Sequence, residues 1–227
     1  VADAERYIDV MALHKFNRLQ IHLTDDQGWR IEIKKYPLLV EVGARMDFTT
    51  LQEGKGTADG RRPSGFYTQD DIRRLVRYAA DRHITIMPEI EMPAHTGAAI
   101  VSYPRLGLYP EKLTSLPVEE RWTANERVLA PRPESVAFMQ DVLVEVAALF
   151  PSRQIHIGGD EANIAHWKQS EEMQAMIRRL GLKDETELHS WFIGQMDAFL
   201  TKLGRQLVGW DEILQGGLAP GAIVMSW

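Results

Sequence analysis

Two adjacent carboxylates, Asp160 and Glu161, follow the run QIHIGG at residues 154–159. Neighbouring carboxylates repel, so one tends to keep its proton while the other stays ionised, a division of labour suited to acid and base catalysis. The plainer reading is helix capping, with Asp160 as the cap of a helix beginning near Ala162 and Glu161 favoured in its first turn. Chemistry-bearing side chains close three other apolar stretches. Asp25 and Asp26 come after Leu19, Ile21 and Leu23; Glu89, Glu91 and His95 end the stretch HITIMPEI at 83–90; Trp210, Asp211 and Glu212 follow QLVG at 206–209. Asp26, Arg30, Glu89 and Glu91 read as supports for a site, although paired loop charges explain them equally well.

The elements that must bring these groups together alternate along the chain. Ile155 and Ile157 alternate with polar neighbours, which predicts a short strand, and Gly158-Gly159 then permits turns that a side chain would forbid. Residues 5–16 place Ile8, Met11, Ala12 and Phe16 on one helical face and lead into a strand over 19–23. TDDQGW (24–29) closes that strand, and residues 30–42 read as a loop with short extended pieces. The polar, glycine-rich residues 54–65 read as a long exposed connection, a kind that is usually functional or mobile. Thr68 then caps a helix, with Asp71 completing an imperfect capping box and Ile72, Leu75, Val76 and Ala79 as its apolar stripe. A strand over 83–90, a helix over 133–150, the strand before Gly158, helices over 170–180 and 185–203, and strands over 206–208 and 222–227 complete the order.

Such alternation means parallel strands joined by helical crossovers. Acids, histidines or tryptophans at the carboxyl ends of the strands, at Asp25, Glu91, Asp160 and Trp210, favour a (β/α)8 barrel of the TIM type, which gathers those ends on one face. A doubly wound sheet gathers its chemistry at one crevice, and its phosphate-loop pattern G-x-G-x-x-G is absent from this sequence.

Composition narrows the ligand. With 227 residues the chain can bury the core of one barrel or doubly wound domain, and 44% hydrophobic with 26% charged residues is ordinary for a globular protein. No apolar run reaches membrane-spanning length. The net charge of −6, with dispersed lysines and arginines, argues against a nucleic-acid partner and favours a neutral or small polar ligand. The absence of cysteine removes disulfides, a thiolate nucleophile and zinc fingers. The chain opens on helix-like sequence without a signal peptide and stops at Trp227 straight after a strand-like run, as expected of a segment of something longer.

Five stretches carry a resemblance: HLTDDQGWRIEIKKYP (22–37), GFYTQDDI (65–72), MPEIEMPAH (87–95), HIGGDE (156–161) and GWDEIL (209–214). Together and in this order they resemble the landmarks of glycoside hydrolase family 20, the β-N-acetylhexosaminidases, and the likeness spans nearly the whole chain. It implies one catalytic barrel domain over 1–227, incomplete at both ends, with about strands two to six present. The implied activity is exo-hydrolysis of terminal β-linked N-acetylglucosamine or N-acetylgalactosamine from an oligosaccharide or glycoconjugate, with retention and without cofactor or metal. By the same resemblance Glu161 is the general acid/base, and Asp160 holds the substrate's 2-acetamido group, whose carbonyl oxygen acts as nucleophile. Such substrate assistance requires no enzyme nucleophile. Asp25 and His95 resemble the pair behind the acid, and Trp191 and Trp210 resemble pocket walls. Each has an ordinary alternative: a turn cap for Asp25, a loop histidine for His95, and core packing beside Leu188 and Phe192 for Trp191.

The sequence departs from the family at Ala94, where a glycine is common, and at Gln20, where an aromatic residue or histidine is common. The family's sugar-gripping arginine upstream, and the tyrosine and acid of its later strands, have no counterpart in these residues, so the chain alone is expected to carry little or no turnover. Two other readings compete. Metal-dependent hydrolysis would use His22, Asp25, His95, His156 and Asp160 as ligands, though no HExxH or His-x-His spacing supports it. A non-catalytic sugar-binding fragment is the other, and the intact Asp160 and Glu161 speak against it.

Overall fold

The computed structural model describes residues 1–45 and 65–226. In chain order its elements are α1 (Ala2–Leu13), β1 (Arg18–His22), β2 (Thr24–Asp25), β3 (Gly28–Trp29), α2 (Leu38–Glu41), α3 (Gln69–Ala80), β4 (Thr85–Glu89), α4 (Gly97–Ser102), α5 (Pro110–Thr114), α6 (Val118–Ala124) and α7 (Pro133–Leu149). They continue with β5 (Gln154–His156), α8 (Ala165–Gln169), α9 (Glu171–Leu180), α10 (Glu185–Lys202), β6 (Gln206–Trp210) and β7 (Ile223–Met225). Strands β1, β4, β5, β6 and β7 form one five-stranded sheet in that order, every pairing parallel. Neighbours in the sheet are therefore neighbours in chain order. A doubly wound sheet reverses its strand order where the ligand binds, so this order decides for five consecutive strands of a (β/α)8 barrel.

Helix α7 explains how the arc is held. Phe138, Met139, Val142, Leu143 and Val146 are buried in the same core as Ile155 and Leu207 of the strands. Helix α3 starts on a reciprocal capping box: the Asp71 amide donates to Thr68 Oγ1 at 3.1 Å and the Thr68 amide donates to Asp71 Oδ2 at 2.9 Å. Aspartate is thus long enough to close the box. Helix α9 is capped by Ser170 and stopped by left-handed Gly181, and α10 is capped by Asp184.

Local structure departs from or adds to the sequence reading in three places. Helix α1 ends at Leu13 and the chain turns through left-handed Lys15, so Phe16, expected on the buried face, is exposed, while Ile8 and Met11 are buried. Residues 24–29, read only as the close of the first strand, form the two-residue strands β2 and β3 of a tight antiparallel pair. Residues 97–124, which carry no clear apolar period, hold the short helices α4, α5 and α6. The expected connection over 54–65 lies outside the described residues apart from Gly65. Among the described residues no helix is long and apolar enough to cross a membrane.

Candidate active site

Strand register builds the floor of the site. His22, Glu89 and His156, the last residues of β1, β4 and β5, stand side by side across the sheet. In-register residues of parallel strands share a face. His22 Nδ1 meets Glu89 Oε2 at 3.0 Å, and His156 Nδ1 lies 3.1 Å from Glu89 Oε1. Nδ1 of His156 also accepts the Gly158 amide at 3.0 Å, and one ring nitrogen cannot accept a proton there and donate one to Glu89. The Gly158 amide takes Nδ1, and Glu89 Oε1 stays buried without a hydrogen-bond partner.

Above this rung the connecting loops supply the rest. Their backbone is unusual at several points: Gly158 (φ 69), Gly159 (φ 88), Glu161 (φ 48) and His95 (φ 51) are all left-handed. For Glu161 and His95 such a conformation costs about 1–3 kcal/mol each and persists only where the surroundings enforce it. The Glu91 amide donates to Thr24 Oγ1 at 2.8 Å, and the Gly97 amide donates to Asp26 Oδ1 at 2.9 Å, so the hairpin of β2 and β3 is tied to the loop after β4. Arg30 turns away from this face. Its guanidinium donates to the Ala44, Gly65 and Gln27 carbonyls and fastens loops instead.

The result is a cavity of about 300 Å3 lined by His22, Asp25, Glu89, Glu91, His95, Asp160, Glu161 and Trp210. Its volume is at the small end for a ligand pocket and suits one sugar ring. His95 sits at its centre: Nδ1 lies 3.4 Å from Asp25 Oδ1 and 3.6 Å from Asp26 Oδ2, and Nε2 lies 3.4 Å from both Asp160 Oδ2 and Glu161 Oε2. Hydrogen bonds to Asp160, Asp25 and Asp26 hold the His95 imidazole far above its ordinary range, as a cation among carboxylates. His22 is pushed up to about 10 by its bonds to Asp25, at 3.0 Å, and to Glu89. Burial opposes ionisation of Asp25, but His22 and His95 outweigh it and hold this carboxyl well below the usual range. Glu89 behaves likewise: burial opposes its ionisation, and the bonds from His22 and the Gln20 amide outweigh it. Glu91 goes the other way, pushed up to about 10 by burial and then by the charges of Asp160 and Glu89.

Of the side chains singled out in the sequence, Asp25, His95, Asp160, Glu161 and Trp210 line this one cavity, with Glu89 and Glu91. The capping alternative for Asp160 is not realised, because the next helix begins at Ala165 with Ile164 before it. Trp210 ends β6, its ring 4.8 Å from that of His156. Trp191 is not among the lining residues; it lies half-buried on α10 and packs against both apolar clusters. Three groups could each hold a cation: His22 with Glu89 and Glu91, Asp25 with Asp26 and His95, and His95 with Asp160 and Glu161. Each contains a histidine held protonated by its neighbours, which would have to lose that proton to become a ligand.

Residues 1–227 match glycosyl hydrolase family 20, catalytic domain. The chain belongs to this family. It is 50% identical, over 100% of its length, to a beta-hexosaminidase of Porphyromonas gingivalis, of which it covers 28%. It is 39% identical to a beta-hexosaminidase of Vibrio furnissii, covering 98% of this chain and 36% of that protein. The crystal structure of the family-20 exo beta-N-acetylglucosaminidase of Vibrio harveyi in complex with N-acetylglucosamine superposes with a TM-score of 0.86 at 37% identity, over 100% of this chain and 35% of the other. The family-20 chain thus spans well under half the length of these relatives.

The in-register His-Glu-His rung of this family-20 site was not foreseen; His22 and His156 were considered only as metal ligands. A signal was present, since both are the last polar residue of an alternating strand and both precede an acid pair, in HLTDD and HIGGDE. His189 left no such signal. It is buried on α10, and burial pushes it down to about 4.

Proposed function

We propose that the protein carrying this chain is an exo-acting β-N-acetylhexosaminidase that removes terminal β-linked N-acetylglucosamine or N-acetylgalactosamine with retention, and that these 227 residues are one part of its catalytic barrel. The observation that carries the reading is the contrast between two adjacent carboxyls. Asp160 is 13% exposed, with Oδ1 buried and unpartnered, whereas Glu161 is 57% exposed at the mouth of the same cavity. An inner carboxylate with one oxygen lacking a donor suits the N–H of a 2-acetamido group, and an outer carboxyl suits the glycosidic oxygen.

In this mechanism Glu161 gives its proton to the leaving oxygen while the acetamido carbonyl oxygen attacks the anomeric carbon and the glycosidic bond breaks. The cyclic oxazolinium ion so formed carries positive charge, which Asp160 stabilises from a fixed position. Glu161, now ionised, takes a proton from water as the water's oxygen opens the ring at the anomeric carbon. His95, in contact with both carboxylates and backed by Asp25, orients them, and Trp210 forms a wall. The names of the relatives in Porphyromonas and Vibrio support this activity class.

A thiazoline mimic of the cyclised intermediate tests it. Competitive inhibition of the full-length enzyme, unaffected by chelators, is the expected result. A compound that does not bind, or turnover abolished by chelation, contradicts the reading and favours a metal-dependent hydrolase.

A further inference from the structure

Among the described residues Glu91 is the carboxyl of the pocket floor with no cation within hydrogen-bond distance. It is 1% exposed, and its Oε2 is buried with no hydrogen-bond partner. The charged groups around it come from every neighbouring element. From the end of β1, His22 Nδ1 approaches Glu91 Oε1 only to 3.8 Å and is committed to Glu89 at 3.0 Å. From β4, Glu89 is already served by His22 and by the Gln20 amide at 2.9 Å. From the loops, Asp160 adds a like charge, and His95 is divided among Asp25, Asp26, Asp160 and Glu161.

A carboxyl buried without a cation or donor at hydrogen-bond distance is most stable with its proton on. Glu89 has His22 and the Gln20 amide, whereas the nearest cation to Glu91 is His22 at 3.8 Å, so Glu91 is the carboxyl that keeps its proton. Glu91 Oε2 also lies directly against Gly158, where a Cβ would overlap it. The carboxyl is therefore the seat of the left-handed turn that presents Asp160 and Glu161.

We propose that Glu91 is a positioning residue that works as a neutral acid: buried beneath the pocket, its uncharged carboxyl seats the Gly158 turn and leaves Asp160 as the anion facing the substrate. Only the last clause rests on the proposed hexosaminidase reading. An ionised Glu91 would place one uncompensated carboxylate under the turn, beside Glu89 and Asp160, and draw His95 away from Asp160.

Infrared difference spectroscopy of the full-length protein tests the protonation directly and needs no substrate. Wild type minus Glu91→Gln at pH 8 should show the carbonyl stretch of one protonated carboxylic acid; a difference containing only ionised-carboxylate bands overturns the proposal. In turnover of a chromogenic N-acetyl-β-glucosaminide, Glu91→Ala should lose about 100-fold, as a misplaced site does. Gln mimics the protonated acid and should recover most of that loss, whereas a Gln variant as slow as the Ala variant overturns the seating role. If Glu91→Gln does not fold, the wild-type spectrum alone decides: a protonated-carboxyl band present at pH 8 and lost on titration supports the proposal, and its absence refutes it. Should the enzyme fail to act on any N-acetylhexosaminide, the hexosaminidase reading falls while the infrared result still decides for Glu91.

Discussion

Asp160 and Glu161 are adjacent in sequence and meet solvent very differently, and the proposed division of labour rests on that difference. Under the proposed mechanism, Glu161→Gln removes the proton donor, so unactivated glycosides should lose about 10²–10⁴-fold in kcat. Substrates whose leaving groups depart without protonation should lose far less in the bond-breaking step. Equal losses for both kinds, measured in single turnovers, would remove Glu161 from the donor role. Asp160→Asn keeps the shape but takes away the charge that faces the intermediate, and should cost about 100-fold or more on N-acetyl substrates. The acid pair was legible in the sequence because HIGGDE combines a strand end, two glycines and two carboxylates in six residues. What the sequence hid was the partnership: His95 joins Asp25 to Asp160 across 135 positions of chain, and only the fold brings them together.

At the scale of elements, the site depends on strand ends and on the loops they launch. Gly158 has φ 69 and abuts Glu91, so Gly158→Ala meets both a strained backbone and an occupied space. It should lower stability by about 1–3 kcal/mol and reduce turnover, read by denaturant unfolding and by assay. The His22 rung gives a pH signature. Because His22 rises from 6.5 to about 10 on folding, its contribution is complete below about pH 6.5 and is lost as the pH climbs through 10. Asp25 and Glu89 are depressed on folding, so theirs is present above the ordinary carboxylate range and lost as the pH falls. The melting temperature of wild type should therefore decline from pH 7 to 10 more steeply than that of His22→Gln; parallel curves would refute the assignment. Helices α3, α7, α9 and α10 were legible to within a few residues because apolar periodicity and caps agree in each. The short helices over 97–124 were not, because their burial is set by the loops around them and six of six residues in α4 are buried, leaving no amphipathic face to read.

For the whole molecule, the parallel strands were foreseen from alternation, and the barrel from chemistry at the strand ends. Strand order, which settles barrel against doubly wound sheet, is a property of pairing that no local pattern contains. Among the described residues β1 and β7 each pair on one side only, and Tyr7, Val10, Leu13 and Phe16 expose apolar surface on and after α1. Open edges and bare apolar faces invite association. A protein of these 227 residues alone should self-associate on size-exclusion chromatography, and a soluble, fully active monomer would contradict that view.

The central claim is that the substrate's own amide attacks, with Asp160 holding it and Glu161 moving the proton. It is tested most directly by the turnover of β-glucosaminides whose N-acyl group is progressively fluorinated. Fluorine drains the carbonyl oxygen of nucleophilicity, so the full-length enzyme should slow steeply along the series while leaving group and sugar stay constant. A rate indifferent to fluorination, with binding preserved, would mean that some other nucleophile breaks the bond.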